Sequence, residues 1–215
     1  MKKIILIGDS IRLGYQNYVK EGLKEVAEVF SPEENCRFAQ YVLRFLREWK
    51  HKWNVGEDID LVHWNVGLWD VLRLFGEDTF TTPEYYEEAL KRIVRQMQKF
   101  FPNAKLVFAT STAVIEKGYK DKDFCRFNSD IEKFNEIAVR TLRPLGVGIN
   151  DLYEITKGIP ESYHSDMTHF RTKEGTKIIG DRILQVICKN LDISAREIRV
   201  GDFELPDIPD SILGV

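Results

Sequence analysis

Several scarcities narrow what this sequence can be. Only three cysteines occur among 215 residues, at Cys36, Cys125 and Cys188. The count is odd and there is no Cys-x-x-Cys, which argues against a disulfide framework and against a zinc cluster. Reduced, mostly buried thiols are expected, as suits a reducing compartment. Charge of one sign is also lacking. The formal net charge is -3 and the isoelectric point near 5.9, which gives no electrostatic reason to expect nucleic acid as a partner. No apolar run approaches the roughly 20 residues of a membrane span. The opening run Ile4-Ile5-Leu6-Ile7 stops at Gly8, short of the roughly 7–15 residues of a signal-peptide core. A cytoplasmic location with no membrane partner is the expectation. Internal repeats and low-complexity linkers are missing, and no glycine-rich phosphate cradle follows the first apolar run.

What is present is the balance of a globular chain, 43% hydrophobic and 30% charged. The length suits one α/β domain over residues 1–191. Residues 192–215 form a tail with Pro206, Pro209 and little periodicity, expected to pack on the domain or on a partner protomer. Lys3–Gly8 reads as a strand buried on both faces. A helical pattern follows from about Ile11 to Val29, and another from about Ala39 to Trp49. Ile59–Trp64 and Lys105–Ala109 are further apolar strands, and Gly146–Ile149 a short one. Thr82-Pro83 opens a helix that runs to about Phe101, threonine capping and proline taking the first turn. Helices are also predicted over about Ser129–Leu142 and Lys173–Leu191. This alternation predicts a parallel sheet with helices on both faces.

In such sheets ligands bind beyond the carboxyl ends of the strands. The first strand ends there in Gly8-Asp9-Ser10, and the run Ile59–Trp64 in Asn65-Val66-Gly67-Leu68-Trp69-Asp70. Lys105–Ala109 ends in Thr110-Ser111-Thr112. Before the last helix stands His164-Ser165-Asp166-Met167-Thr168-His169. A serine hydroxyl is a weak nucleophile that needs a base, and the base needs an orienting acceptor. His169 can supply the base, and Asp166, three residues earlier, can reach its far ring nitrogen. The Ser10 backbone N–H, at a strand-to-helix junction, can point at a developing oxyanion. Gly-Asp-Ser alone is also an ordinary capping turn, and Asp-x-x-His a capping aspartate beside a surface histidine. The force lies in finding one after the first strand and the other before the last helix.

At these residues the chain resembles the SGNH/GDSL hydrolase superfamily. Ile7-Gly8-Asp9-Ser10-Ile11-Arg12 is similar to its nucleophile block, and Ser165-Asp166-Met167-Thr168-His169-Phe170 to its acid–base block. The resemblance spans about Lys2 to Lys189. It implies a three-layer α/β/α sandwich around a flavodoxin-like, doubly wound parallel sheet of about five strands. It also implies a triad of Ser10, Asp166 and His169 with no metal and no organic cofactor. The middle blocks depart from the family pattern. Glu34-Asn35-Cys36-Arg37 lacks the family glycine, and Asn65-Val66-Gly67 replaces the usual Gly-x-Asn. Aligned by the strand end, Asn65 takes the glycine position and Gly67 the asparagine position. A small loop shift instead lets the Asn65 amide serve the oxyanion, and this reading is preferred.

The implied activity is hydrolysis of short acyl esters, acetyl in particular, on a carbohydrate or small molecule. An O-acyltransferase on the same triad, or a non-catalytic binding protein with this fold, are the alternatives. Asn35 either faces the cleft or makes an Asx turn. Arg12 either holds an anionic substrate group or pairs with a surface acid. Trp69 either stacks on a sugar ring or packs on the sheet. His63 is expected to be a hydrogen-bonded core residue, His164 a loop residue, and Asp9 a structural one.

Overall fold

A computed structural model describes residues 1–119, 123–199 and 201–209. Five parallel strands form the central sheet: β1 (Lys2–Ile7), β2 (Ala27–Phe30), β3 (Leu61–Trp64), β5 (Lys105–Ala109) and β7 (Gly148–Asn150). Their order is β2-β1-β3-β5-β7. A two-stranded antiparallel ribbon, β4 (Arg73–Leu74) and β6 (Phe124–Cys125), stands apart from the sheet. The helices are α1 (Ser10–Leu23), α2 (Ala39–Trp53), α3 (Pro83–Phe100), α4 (Asn128–Leu142), α5 (Leu152–Thr156) and α6 (Lys173–Leu191).

Helices α1 and α6 pack together, and α2, α3 and α4 pack in sequence with one another. The result is the three-layer, doubly wound sandwich that alternation of apolar strands with amphipathic helices predicts. Ile4–Ile7 of β1 are wholly buried, each side chain contributing about 1.5–3 kcal/mol of hydrophobic stabilisation before conformational entropy is counted. The strand order reverses between β1 and β3, which makes the carboxyl ends of those two strands the natural ligand crevice.

Helix α3 begins where Thr82 and Pro83 predict, with the Thr82 side chain accepting from the Tyr85 N–H. Helix α6 is capped by Thr172, whose hydroxyl accepts from the Gly175 N–H. One expected element is corrected. The helical pattern read from Ile11 to Val29 is helix only to Leu23. The chain then turns, with the Val26 N–H donating to the Leu23 carbonyl, and Ala27–Phe30 pairs with β1 as an edge strand. The three-residue spacing of Leu23 and Val26 imitates a helix, while hydrogen bonding along the open edge of β1 decides the outcome.

Beyond α6 the described residues lie against the domain. Ile198 and Phe203 are buried, the Phe203 ring meets Tyr18 edge-on at 4.9 Å, and the Arg196 N–H donates to the Gly22 carbonyl. Residue 200 and residues 210–215 of the tail fall outside the described part. No described helix is long and apolar enough to cross a membrane.

Candidate active site

Ser10 is the first residue of α1. The Asp9 carboxylate caps that helix, accepting from the Ile11 N–H at 3.0 Å. Because Ser10 lies in the first turn, its own N–H has no partner within the helix and carries the positive end of the helix dipole. Its hydroxyl lies 2.7 Å from His169 Nε2. His169 Nδ1 lies 2.8 Å from Asp166 Oδ2 and 2.9 Å from Oδ1. With the Nδ1–H donated to the carboxylate, Nε2 has a lone pair that can receive the serine proton. This tautomer follows from the hydrogen-bond network.

The loop before α6 is built to hold this geometry. Asp166 Oδ1 accepts from the N–H groups of Thr168 and His169, at 2.8 and 2.9 Å. The Ser165 N–H closes the turn onto the His169 carbonyl. The Thr168 hydroxyl meets the Tyr119 hydroxyl at 2.9 Å, and the Ile115 N–H donates to the Met167 carbonyl. Thus the turn is tied to the segment that follows β5. Burial alone would raise the Asp166 carboxyl. The His169 ring and the two backbone N–H donors outweigh it and hold Asp166 well below the usual carboxylate range.

Asn65 and Gly67 separate in space. The Asn65 N–H extends the sheet by donating to the Ile7 carbonyl. Its side chain lies across Gly8, where a Cβ would fall 2.0 Å from Asn65 Oδ1. So Gly8 must lack a side chain for Asn65 to approach the nucleophile turn. Gly67 faces the other way. It has φ +140, and an added Cβ would lie 2.2 Å from Ser111 Oγ. Asn35 is buried, and its Oδ1 accepts from the Arg37 N–H at 2.9 Å, which makes an Asx turn. Arg37 occupies the left-handed region, φ 45, a conformation glycine adopts more readily.

Two carboxyls sit beneath the site. Burial raises Asp9, while the adjacent Asn65 side chain, the Ile11 N–H and the nearby His169 and Arg126 side chains pull it down. Burial likewise pushes Asp70 up to about 7, against the Ala39 N–H and the Thr81 side chain. Asp70 accepts the Ala39 N–H and so caps α2 from the far end of the loop after β3. Nothing in the local sequence around Asp70 signals this long-range cap.

Arg12 differs from both expectations. It is fully buried and donates to the carbonyls of Pro32, Gly8 and Glu34, which stitches the segment before α2 onto α1. Its role is to hold that segment, away from substrate and surface acids. His63 Nε2 lies 3.1 Å from Asn150 Nδ2, and burial drives its pKa down to about 3, so it is neutral. The His164 ring packs on Phe170, 4.1 Å between centroids. Cys36 and Cys188 are free thiols, and Cys125 is buried. Among the described residues no group of three His, Cys, Asp or Glu side chains is placed to hold a metal ion.

Arg126 was invisible to sequence reasoning. It is 2% exposed, donates from Nε to the Leu68 carbonyl at 2.6 Å, and lies over the Trp69 ring. The ribbon of β4 and β6 brings it there, and short irregular strands of that kind leave no periodic trace.

No protein-family description matches this chain, and no curated protein matches it in sequence. Solved structures do match it in fold. A lipase/acylhydrolase from Enterococcus faecalis superimposes with TM-score 0.71 at 17% identity, covering 92% of this chain and 100% of its own. An acetyl xylan esterase gives 0.68 at 20% identity, with 86% and 99% covered. A GDSL-like lipase from Bacteroides thetaiotaomicron gives 0.65 at 17% identity, with 87% and 88% covered. At these identities the likeness is one of architecture: the chain has the fold of the SGNH/GDSL hydrolases.

Proposed function

We propose that this chain is a serine ester hydrolase that removes short acyl groups, acetyl in particular, from a carbohydrate or another small alcohol. The observation that carries this reading is the continuous hydrogen-bonded path from Asp166 through His169 to Ser10 Oγ. Ser10 Oγ attacks the ester carbonyl carbon as its proton passes to His169 Nε2. The Ser10 N–H and the Asn65 side-chain amide donate to the oxygen that gains the charge. Asp166 stabilises the imidazolium without taking its proton. Collapse of the tetrahedral adduct breaks the bond to the alcohol, which leaves with the proton held by His169. Water then gives a proton to His169 and attacks the acyl-serine, and this second adduct collapses by breaking the bond to Ser10 Oγ, which takes the proton back from His169 as the acid leaves. Each step moves only protons and an acyl group, so the cycle uses no cofactor.

The cavity that Ser10, His169, Phe170 and Ile179 share between α1 and α6 holds about 10 Å³, no more than a single water needs. Ser10 and His169 are 3% and 2% exposed, and such dry surroundings strengthen the hydrogen bonds that do the chemistry. The acetyl xylan esterase among the structural neighbours favours a carbohydrate ester. A fluorophosphonate probe tests the reading. Labelling mapped to Ser10, lost in Ser10→Ala and weakened in His169→Ala, is expected, together with turnover of p-nitrophenyl acetate. A folded wild-type sample that neither labels nor turns over would overturn it.

A further inference from the structure

We propose that Arg37, Trp69 and Arg126 form a carboxylate-recognition corner beside the nucleophile, and that the ester this chain cleaves carries a carboxylate near its scissile bond. The inference rests on the esterase reading of Ser10 and names its substrate class. Two guanidinium groups share one indole. Arg37 Cζ lies 5.4 Å and Arg126 Cζ 5.7 Å from the centre of the Trp69 ring. The stacking surface considered for a sugar is thus engaged by the protein's own cations.

Neither arginine ion-pairs with an acid among the described residues. Arg44, Arg73, Arg95, Arg140 and Arg196 each do. For Arg37, which is exposed, the lack of an acid partner is unremarkable by itself. Arg126 is buried, and it acts on the Asp9 carboxyl at a distance without forming an ion pair with it. Only its Nε has a protein acceptor among the described residues. The aromatic faces of Trp69 and Phe124 offset part of the cost of its burial but accept none of its remaining N–H groups. Two like charges over one ring also repel. An anion bound at this corner would give the free guanidinium donors an acceptor and offset their positive charge.

The corner adjoins the triad. Trp69 belongs to the loop that carries Asn65. Arg37 follows Cys36, whose N–H donates to the Gly8 carbonyl at 3.2 Å, two residues from Ser10. The Arg126 and His169 side chains both act electrostatically on the Asp9 carboxyl. The backbone of Arg37 is fixed by its Asx turn, so the cation is pre-positioned. A planar carboxylate fits because guanidinium presents paired N–H donors that match its two oxygens. Among the described residues no acid ion-pairs with either guanidinium, which leaves their free N–H groups for a carboxylate brought by the substrate.

The test compares matched esters. p-Nitrophenyl acetate is set against its ring-carboxylated derivative, and p-nitrophenyl valerate against p-nitrophenyl hydrogen glutarate. In the wild type the ratio of kcat/KM, carboxylated over neutral, should be high for at least one pair and fall with added salt. That ratio should drop about tenfold in Arg37→Gln and about 10- to 100-fold in Arg126→Gln, the range of a charge-assisted hydrogen bond. Should Arg126→Gln not fold, Arg126→Lys and Arg37→Gln decide. Separately, glutarate should shift the Trp69 indole N–H signal in Ser10→Ala and not in Ser10→Ala/Arg37→Gln. An active enzyme whose ratios are the same in the folded variants overturns the inference and leaves the esterase reading intact. Glutarate binding at Trp69 in a protein that labels with no fluorophosphonate and cleaves no ester keeps the anion site and removes the esterase reading.

Discussion

Ser10 Oγ and His169 Nε2 meet at 2.7 Å across a sequence separation of 159 residues. The contact depends on α1 and α6 lying side by side, so the layer that closes the sheet also brings the proposed nucleophile beside its proposed base. Removing either partner leaves the fold but not the proton path. Ser10→Ala and His169→Ala should each lower kcat for p-nitrophenyl acetate by about 10³-fold or more, with little change in thermal midpoint. The double variant should lose no more than the worse single one, because the two act as a unit. Additive losses in steady-state kinetics would count against the pairing.

Asp166 has two separable duties. It orients His169, so Asp166→Asn should cost up to about 10⁴ in kcat by favouring the wrong imidazole tautomer. It also stabilises the fold, because its folded carboxyl sits well below the ordinary value. For a depressed acid that contribution is complete above about pH 4 and is lost as the pH falls further. The wild type should therefore unfold at higher temperature than Asp166→Asn near neutrality, and the gap should close below about pH 4. A gap that widens in acid would contradict this assignment.

Asp70 should show the opposite dependence. Burial raises its carboxyl to about 7. Between about pH 4 and 7 the folded protein keeps a proton that the unfolded chain has released, so stability declines as the pH rises through that window. In Asp70→Asn the side-chain oxygen can still accept the Ala39 N–H that caps α2, and no charge is buried. Urea titrations at pH 5 and pH 8 should find the variant gaining on the wild type at the higher pH. An equal difference at both values would exclude titration of Asp70 in this range.

Gly67 combines a left-handed φ of +140 with a close approach to Ser111 Oγ. Gly67→Ala should cost about 2–4 kcal/mol, from backbone strain and the clash together. Adding Ser111→Gly removes the clash and leaves the strain, so it should recover only part of the loss in urea unfolding. Full recovery would mean that the backbone tolerates alanine there.

How much of this was readable from the chain differs from residue to residue. Helix α6 runs over Lys173–Leu191 as periodicity predicts, because its cap, Thr172, is local. The meeting of Ser10, Asp166 and His169 could be anticipated because Gly-Asp-Ser and Asp-x-x-His flank elements whose places in a doubly wound sheet are known in advance. Strand β2 was hidden, since edge pairing with β1 overrides a four-residue pattern. Arg12 looked like a surface or ligand residue, and only the three-dimensional path of the Pro32–Cys36 segment brings backbone carbonyls around it. Arg126 and Asp70 likewise acquire their places from loops that are distant in sequence.

Asn65 offers the sharpest test of the site's remaining chemistry. Its side chain lies over Gly8 beside the Asp9 carboxyl, whereas Gly67 is turned towards Ser111. If the amide donates to the oxyanion, it does so mainly in the transition state. Asn65→Ala should then lower kcat by about 10²–10³ and leave KM nearly unchanged. Fluorophosphonate labelling of Ser10 should slow in parallel, since that reaction also builds negative charge on an oxygen beside the nucleophile. Asn65→Asp should be worse than alanine, because it removes the donor and sets a second carboxylate against Asp9 in a buried place. A loss under tenfold in Asn65→Ala, with labelling unaffected, would move the oxyanion role to backbone N–H groups alone.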